Sequence, residues 1–301
     1  MANSAAPPAD GGLLLLDKPA GLSSNIALQR VRRAFGGVRA GHTGTLDPLA
    51  SGMLPICLGE ATKVAGEILA GRKCYRFTLQ LGEQRSTGDA EGEVVAIAPV
   101  PTLEDAQVDA ALAAFLGATR QVPPMFSALK RDGQPLYKLA RQGITVARDS
   151  REIVIERLEL LGREPRRLDC RVLCSKGTYV RVLGEDLARS LGTVGYLAAL
   201  RREYVEPFEH EPMVSLEAVL AGPLPELLPA DRALPHLAAV HLSVRDSIAI
   251  TRGQRLAAAG SAVSGNPGSL VRLYDAAGRF FGLGQLEPDG GLRAKRLYAT
   301  E

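Results

Sequence analysis

The stretch 41–59, GHTGTLDPLASGMLPICLG, gathers four glycines, two prolines and one carboxylate, Asp47, in nineteen residues. So many special backbone torsions force the chain along one path. Pro48 pushes the residue before it out of helical torsions, so Asp47 stands extended or in a turn, its carboxylate free to face a cleft. A carboxylate placed in this way can act as a nucleophile or as a base. An Asp-Pro pair is also ordinary turn chemistry, and the surrounding string decides between the two. His42, Thr43 and Thr45 precede Asp47, and the apolar run MLPICL follows it as a buried strand beneath the loop would. No Gly-rich phosphate loop and no Ser/His/Asp arrangement competes for the chemistry. Cys57, Cys74, Cys170 and Cys174 lack metal-ligand spacing and read as buried thiols.

The string resembles the catalytic motif GHTGxLDPxAxG of the bacterial tRNA pseudouridine-55 synthases of the TruB type, whose aspartate is the one catalytic nucleophile. Further blocks stand in that family's order: LDKPAGLSSN at 16–25, KCYRF at 73–77, VPPMFSALK at 122–130, SKGTYVR at 175–181 and YLAALRR at 196–202. Several independent blocks are far more specific than one motif. The resemblance implies an enzyme that breaks the bond between ribose C1′ and uracil N1 at uridine 55 of the tRNA T-loop. The base then turns and rejoins through C5, with no cofactor and no metal. Asp47, Arg181 and Tyr75 would be catalytic. Arg181 would hold Asp47 ionised by gripping both its oxygens, and Tyr75 would stack on the flipped base. His42 would fill the space the base leaves, while Tyr179 and Leu200 close the base's other sides. Lys18 and Pro19 would support the loop rather than react. Read without the resemblance, Tyr75 and Leu200 are core residues and His42 is a loop histidine bonded to backbone. Two other functions fit less well. A tRNA-binding or folding module without catalysis has no need of Asp47, Tyr75 and Arg181, and a nucleoside hydrolase normally needs a second carboxylate in a comparable motif.

The elements around these residues can be read in order. Residues 1–12, rich in Ala, Pro and Gly, read as a disordered tail. LLLLDKP is a short buried strand broken at Pro19, after which Ser23 or Ser24 caps a helix to Phe35 with Ile26, Val31 and Phe35 as its apolar side. Its other side is basic, with Arg30, Arg32 and Arg33. A helix over 60–70 precedes a half-buried strand, KCYRFTLQLG, with Tyr75, Phe77, Leu79 and Leu81 on one face. The acidic segment 82–93 reads as a turn excursion, and Thr102 with Asp105 as a capping box for a helix to Leu116. REIVIERLELLG and LDCRVLC read as two antiparallel strands. On a continuing strand Tyr179 and Arg181 would point the same way into one cleft, with a helix beginning at GEDLARSLG. YLAALRREYV is a further strand carrying Leu200.

Residues 120–151 hold seven Lys or Arg against two acids, so this insertion carries +5 where the whole chain carries +3. Pro123, Pro124, Phe126 and Tyr137 interleave with the cations, as on nucleic-acid surfaces. The resemblance makes the insertion a mobile thumb that closes on RNA, with Lys130, Arg131 and Arg141 on phosphates. Beyond a boundary near 237, the runs SIAIT, SLVRLY, RFFGLGQL and LRAKRLY, separated by Gly, Asn and Asp, predict a small all-β barrel of PUA type over 238–301. Its basic end, Arg293, Lys295 and Arg296, suits RNA.

The expected fold class is α+β: a pseudouridine-synthase domain over 13–237, with a mixed, mostly antiparallel central sheet, and the C-terminal barrel. With 46% hydrophobic residues the chain can build a sizeable core. Without an apolar run of membrane length or a signal-peptide pattern it is expected in the cytoplasm. The expected partner is tRNA, with no membrane and no metal, and the chain acting as a monomer.

Overall fold

The computed structural model describes residues 11–257 and 266–298. Of the expected tail, residues 1–10 lie outside the described residues; Gly12 is already in a strand, paired with Leu58. The main sheet runs in the order Val214–Ser215, Gly12–Lys18, Ser51–Leu58, Gly195–Val205, Lys73–Leu81, Arg167–Cys174, Arg151–Glu164 and Gly117–Gln121, and Ala40–His42 also pairs with Ser51–Leu58. Gly12–Lys18 lies parallel to Val214–Ser215, and Ser51–Leu58 parallel to Gly195–Val205. The other pairings are antiparallel. Together with the helices this makes an α+β fold with a mixed sheet.

The continuous apolar runs LLLL and MLPICL are explained by burial on both faces of the sheet. Leu14, Leu16, Leu54, Ile56 and Leu58 join the main core with Phe77 and Leu79. Leu13, Leu15, Met53 and Cys57 face a second core with Phe208, Leu234, Leu283 and Tyr298, which ties the C-terminal segment to the sheet. All four cysteines are buried and free.

The helix after the first strand is Ser24–Ala34, capped by Ser23, whose side chain accepts from the Ile26 N–H. Its buried side is Ala27, Leu28 and Val31, with Phe35 just beyond; Ile26 is 47% exposed. Val31 and Phe35 are inside as expected, while Ala27 takes the buried place expected of Ile26. Gly59–Val64 is a 3-10 turn that leads into the helix Ala65–Ala70. The helix Asp105–Ala113 starts from a capping box of Glu104 and Gln107 rather than of Thr102 and Asp105. The acidic excursion holds a small hairpin, Glu83–Arg85 with Val94–Ile97.

In the basic insertion Lys130–Arg131 pairs with Gln134–Pro135 across Asp132 and Gly133, both at positive φ (51° and 80°), as a two-residue hairpin of type I′ requires. The helix Leu136–Arg141 follows.

At the C-terminal end, Ala238–His241, Leu270–Tyr274, Phe280–Leu286 and Leu292–Leu297 form a four-stranded sheet. Among the described residues it is an open sheet and not a closed barrel. SIAIT, expected as a strand, lies in the helix Val244–Thr251, because Ser243 caps it by accepting from the Asp246 N–H. A cap at the start of a short run outweighs its alternating pattern. Among the described residues, no helix is long and apolar enough to cross a membrane.

Candidate active site

Asp47 sits where the loop from Ala40–His42 turns into Ser51–Leu58, held from below by several contacts. The Leu46 N–H donates to the Ser24 hydroxyl, and that hydroxyl donates back to the Leu46 carbonyl. The fully buried Lys18 ammonium donates to the carbonyls of Pro19, Leu22 and Pro48, and the Gly21 N–H also reaches Pro48. Burial lowers Lys18 to about 8, against the pull of Asp47, so it still carries its charge at neutral pH beneath the loop. Arg202, 1% exposed, donates to the carbonyls of Met53 and Gly44. Two glycines make room for it. A Cβ on Gly52 (φ +99°) would fall 2.1 Å from the Arg202 carbonyl oxygen, and one on Gly44 (φ +77°) 3.2 Å from its guanidinium.

The loop opens on a cleft of about 390 Å³ lined by Asp47, Tyr75, Tyr179, Arg181, Leu200 and Arg202, with Ser127 to Leu129 and Ser175 to Thr178 at its sides. Five of the expected site residues therefore meet here. The Arg181 Nε stands 2.9 Å from Asp47 Oδ2 and 3.7 Å from Asp89 Oδ2. Its terminal nitrogens donate to the carbonyls of Thr87 and Phe126, each at 2.6 Å. The expected two-point grip on Asp47 is thus a single contact, since the rest of the guanidinium is committed to backbone. Burial raises the Asp47 pKa; Arg181 lowers it, Asp89 raises it and Lys18 lowers it. The carboxyl stands above the ordinary carboxylate range, and 35% of its side chain is open to the cleft.

Tyr179 and Arg181 do not share a strand. Tyr179 is the extended residue ahead of the helix Val180–Ser190, and Arg181 is in its first turn. Both reach the cleft because Tyr179 departs before helical torsions begin. Burial raises the phenols of Tyr75 and Tyr179, which keeps both protonated. Tyr75 pairs across the strands with Arg202, and Leu200 is opposite Phe77.

His42 lies on the strand beside Ile56 and is not among the residues lining the cleft. Its Nδ1 is buried without a hydrogen-bond partner, so the expected backbone bond is absent at that atom. Burial, with Arg202 nearby, lowers its pKa and favours the neutral ring. Lys130, Arg131 and Arg141 are exposed on the insertion's hairpin and helix, outside the cleft.

Three residues at the site escaped the sequence reading. Arg202 could have been found, since it is two residues beyond Leu200 on one strand and so shares its face. Asp89, 2% exposed and bonded by the Thr87 hydroxyl and the Glu91 N–H, sat in what read as a polar turn. Gln121 had no signal, as its partner is distant in sequence.

Two family models match the chain: TruB family pseudouridylate synthase (N terminal domain) over residues 32–180, and pseudouridine synthase II TruB, C-terminal, over 238–298. The tRNA pseudouridine synthase B of Aromatoleum aromaticum is 48% identical over 96% of this chain and 93% of that one. The protein of the same name from Hydrogenovibrio crunogenus is 45% identical over 95% and 93%. In fold the chain is similar to one in a solved H/ACA RNP bound to a substrate RNA containing 2′-deoxyuridine, with TM-score 0.73 and 21% identity over 99% of this chain and 92% of that one.

Proposed function

The chain belongs to the TruB family and is an enzyme that makes pseudouridine in tRNA, and we propose that it does so at uridine 55 of the T-loop with Asp47 as the reacting carboxylate. The observation that carries this assignment is the contact of Arg181 Nε with Asp47 Oδ2 inside the cleft walled by Tyr75, Tyr179 and Leu200. The uridine is flipped into that cleft, at the cost of unstacking it from the loop. C1′–N1 breaks and C1′–C5 forms; N1 gains a proton and C5 loses one, so the base leaves with the atoms it entered with. Three routes are open to a carboxylate: attack at C1′, attack at uracil C6, and proton abstraction from the ribose to give a glycal. Each needs the anion. A cleft that raises the pKa by burial supplies the dry surroundings that keep water from intercepting the detached uracil, and Arg181 restores the ionised form.

Tyr75 stacks on the flipped base, Tyr179 and Leu200 close its other sides, and His42 takes the place the base leaves. Exposed cations on the 120–151 thumb, Lys130, Arg131 and Arg141 among them, hold phosphates. The segment 238–301 serves as a PUA-like RNA-binding domain, in support of which Arg293, Lys295 and Arg296 are exposed on the strand Leu292–Leu297. The enzyme works in the cytoplasm as a monomer. Mapping pseudouridine in tRNA transcripts treated with the purified protein tests the target: product is expected at position 55, and none when that uridine is replaced by cytidine. Product at another position, or release of free uracil, overturns the assignment.

A further inference from the structure

The strand Gly117–Gln121 is the last of the main sheet, and four of its five residues are exposed. Gln121, the fifth, is 6% exposed, and its amide is spent on one residue. Oε1 accepts from the Tyr179 N–H at 2.8 Å, and Nε2 donates to the Tyr179 carbonyl at 3.1 Å. The side chain thus pairs with Tyr179 as a neighbouring strand would. Tyr179 has no side-chain cap bond and immediately precedes the helix that carries Arg181.

The other end of the SKGTY loop is pinned as well. The Ser175 N–H donates to the Val154 carbonyl, and the Ser175 hydroxyl accepts from the Val154 N–H. Between these two anchors Gly177 takes a left-handed turn (φ +84°) and the Thr178 hydroxyl donates to the Ser175 carbonyl, so the loop closes on itself and Gln121 is what ties the Tyr179 N–H to the sheet. Gln121 is also the residue at which the sheet gives way to the basic insertion, and five residues on, the Phe126 carbonyl accepts from Arg181 Nη2. The root of the insertion therefore grips the Val180–Ser190 helix at two points, the backbone ahead of its first turn and the guanidinium itself.

We infer that Gln121 is a positioning residue for the reaction: by clamping the Tyr179 backbone it sets the start of the helix so that Arg181 Nε stays on Asp47. Gln121 does not line the cleft and touches no reacting group. It acts through Arg181, and the inference rests on the assignment of Asp47 and Arg181 proposed above. An apolar side chain in place of this buried amide orphans the Tyr179 N–H, while the Tyr179 carbonyl keeps the Leu183 N–H of the helix.

The test is single-turnover pseudouridine formation, with enzyme in excess over tRNA, alongside the tRNA binding constant and the melting temperature. Gln121→Met keeps the length of the side chain and loses both hydrogen bonds. It is expected to slow the chemical step by about 10- to 100-fold, as a small misplacement of a catalytic group does, with binding unchanged. The acid limb of its pH–rate profile should move to higher pH, because Asp47 loses part of its cation. Gln121→Glu keeps the acceptor for the Tyr179 N–H but not the donor, and should fall between wild type and Gln121→Met. In an Arg181→Lys background Gln121→Met should cost less than about threefold, since residues that act through one another are not additive.

A wild-type rate and acid limb in Gln121→Met overturn the inference, as does a full, additive loss in the Arg181→Lys background, which marks a merely structural role. If Gln121→Met does not fold, Gln121→Glu decides by the same comparison. Asp47→Asn serves as the reference. If it is inactive while Gln121→Met is normal, the clamp alone fails; if Asp47→Asn itself turns over normally, the assignment beneath it fails.

Discussion

Arg181 meets Asp47 through Nε alone, at 2.9 Å, while its two terminal nitrogens hold the carbonyls of Thr87 and Phe126. One guanidinium at 4% exposure thereby fixes the Asp47 loop, the acidic segment and the root of the basic insertion about a common point. Lysine has one nitrogen for these three places. Arg181→Lys is expected to lower the single-turnover rate by about 10²- to 10³-fold, the scale seen when one preorganised donor is lost. It should also lower stability by about 1–3 kcal/mol for each buried carbonyl left unpaired. Denaturant unfolding beside the kinetics checks both. A lysine enzyme with a wild-type rate would show that charge alone, without the fork of the guanidinium, is sufficient.

Asp89 stands 3.7 Å from the same Nε and raises the Asp47 pKa. Asp89→Asn keeps an oxygen for the Thr87 hydroxyl and the Glu91 N–H and removes only the charge. Both consequences have one sign: a like charge near Asp47 disappears, and Arg181 has one carboxylate left to serve. The Asp47 pKa therefore falls, and since the reaction uses the anion, the acid limb of the pH–rate profile should move to lower pH. The plateau should drop too, because Arg181 is less firmly anchored. A limb that stays in place or moves upward in Asp89→Asn refutes the coupling.

Local chemistry explains how much of this was legible. Asp47 stood out because Gly44, Pro48 and Gly52 constrain the backbone around it, and constraint of that kind is written in residue type. The strand through Tyr75 followed from alternation, a pattern repeated every two residues. The Tyr179–Arg181 segment misled because three residues are too few to separate a strand from one extended residue followed by the first turn of a helix; both put the two side chains near one cleft. SIAIT failed for a similar reason, the cap at Ser243 lying just outside the alternating run. Asp89 and Gln121 matter through partners far away in the chain, Arg181 and Tyr179, and no local period records such a pairing. The roles of His42 and of the basic insertion were read by resemblance, and their placement in the fold is what now makes them testable.

Lys130, Arg131 and Arg141 are exposed away from the cleft. Arg131 donates one nitrogen to the Ala147 carbonyl, and Arg141 lies 5.6 Å over the Tyr137 ring, so both are held in place with charge to spare. If they bind phosphates, each contact releases about one counterion. Replacing any of the three by Gln is expected to weaken tRNA binding and to reduce the slope of log K against log salt by about one. The rate on enzyme saturated with tRNA should be unchanged, since none of the three lines the cleft. Slopes equal to wild type in all three variants would remove this insertion from the RNA interface.

Asp47→Asn separates chemistry from folding most cleanly. The amide keeps the size of the carboxyl and removes the anion, so pseudouridine formation should be lost while tRNA binding, which rests on phosphates held elsewhere, persists. Stability adds an independent check. The folded-state pKa of Asp47 is raised above its unfolded value, chiefly by burial. Its stabilising contribution is therefore complete below the unfolded pKa, about 4, and is lost as pH rises through the folded pKa. At neutral pH the wild-type protein bears the cost of an ionised, partly desolvated carboxylate that Asp47→Asn does not. The variant should accordingly melt at or above the wild-type temperature at pH 7, and the difference should close as pH falls towards 4. Melting curves at several pH values, set beside single-turnover rates, decide the matter. A dead but more stable variant marks Asp47 as a group held at a cost to the fold for the sake of the reaction. A variant that is inactive, unable to bind and less stable at pH 7 identifies the carboxylate as a prop of the loop, and the catalytic assignment falls.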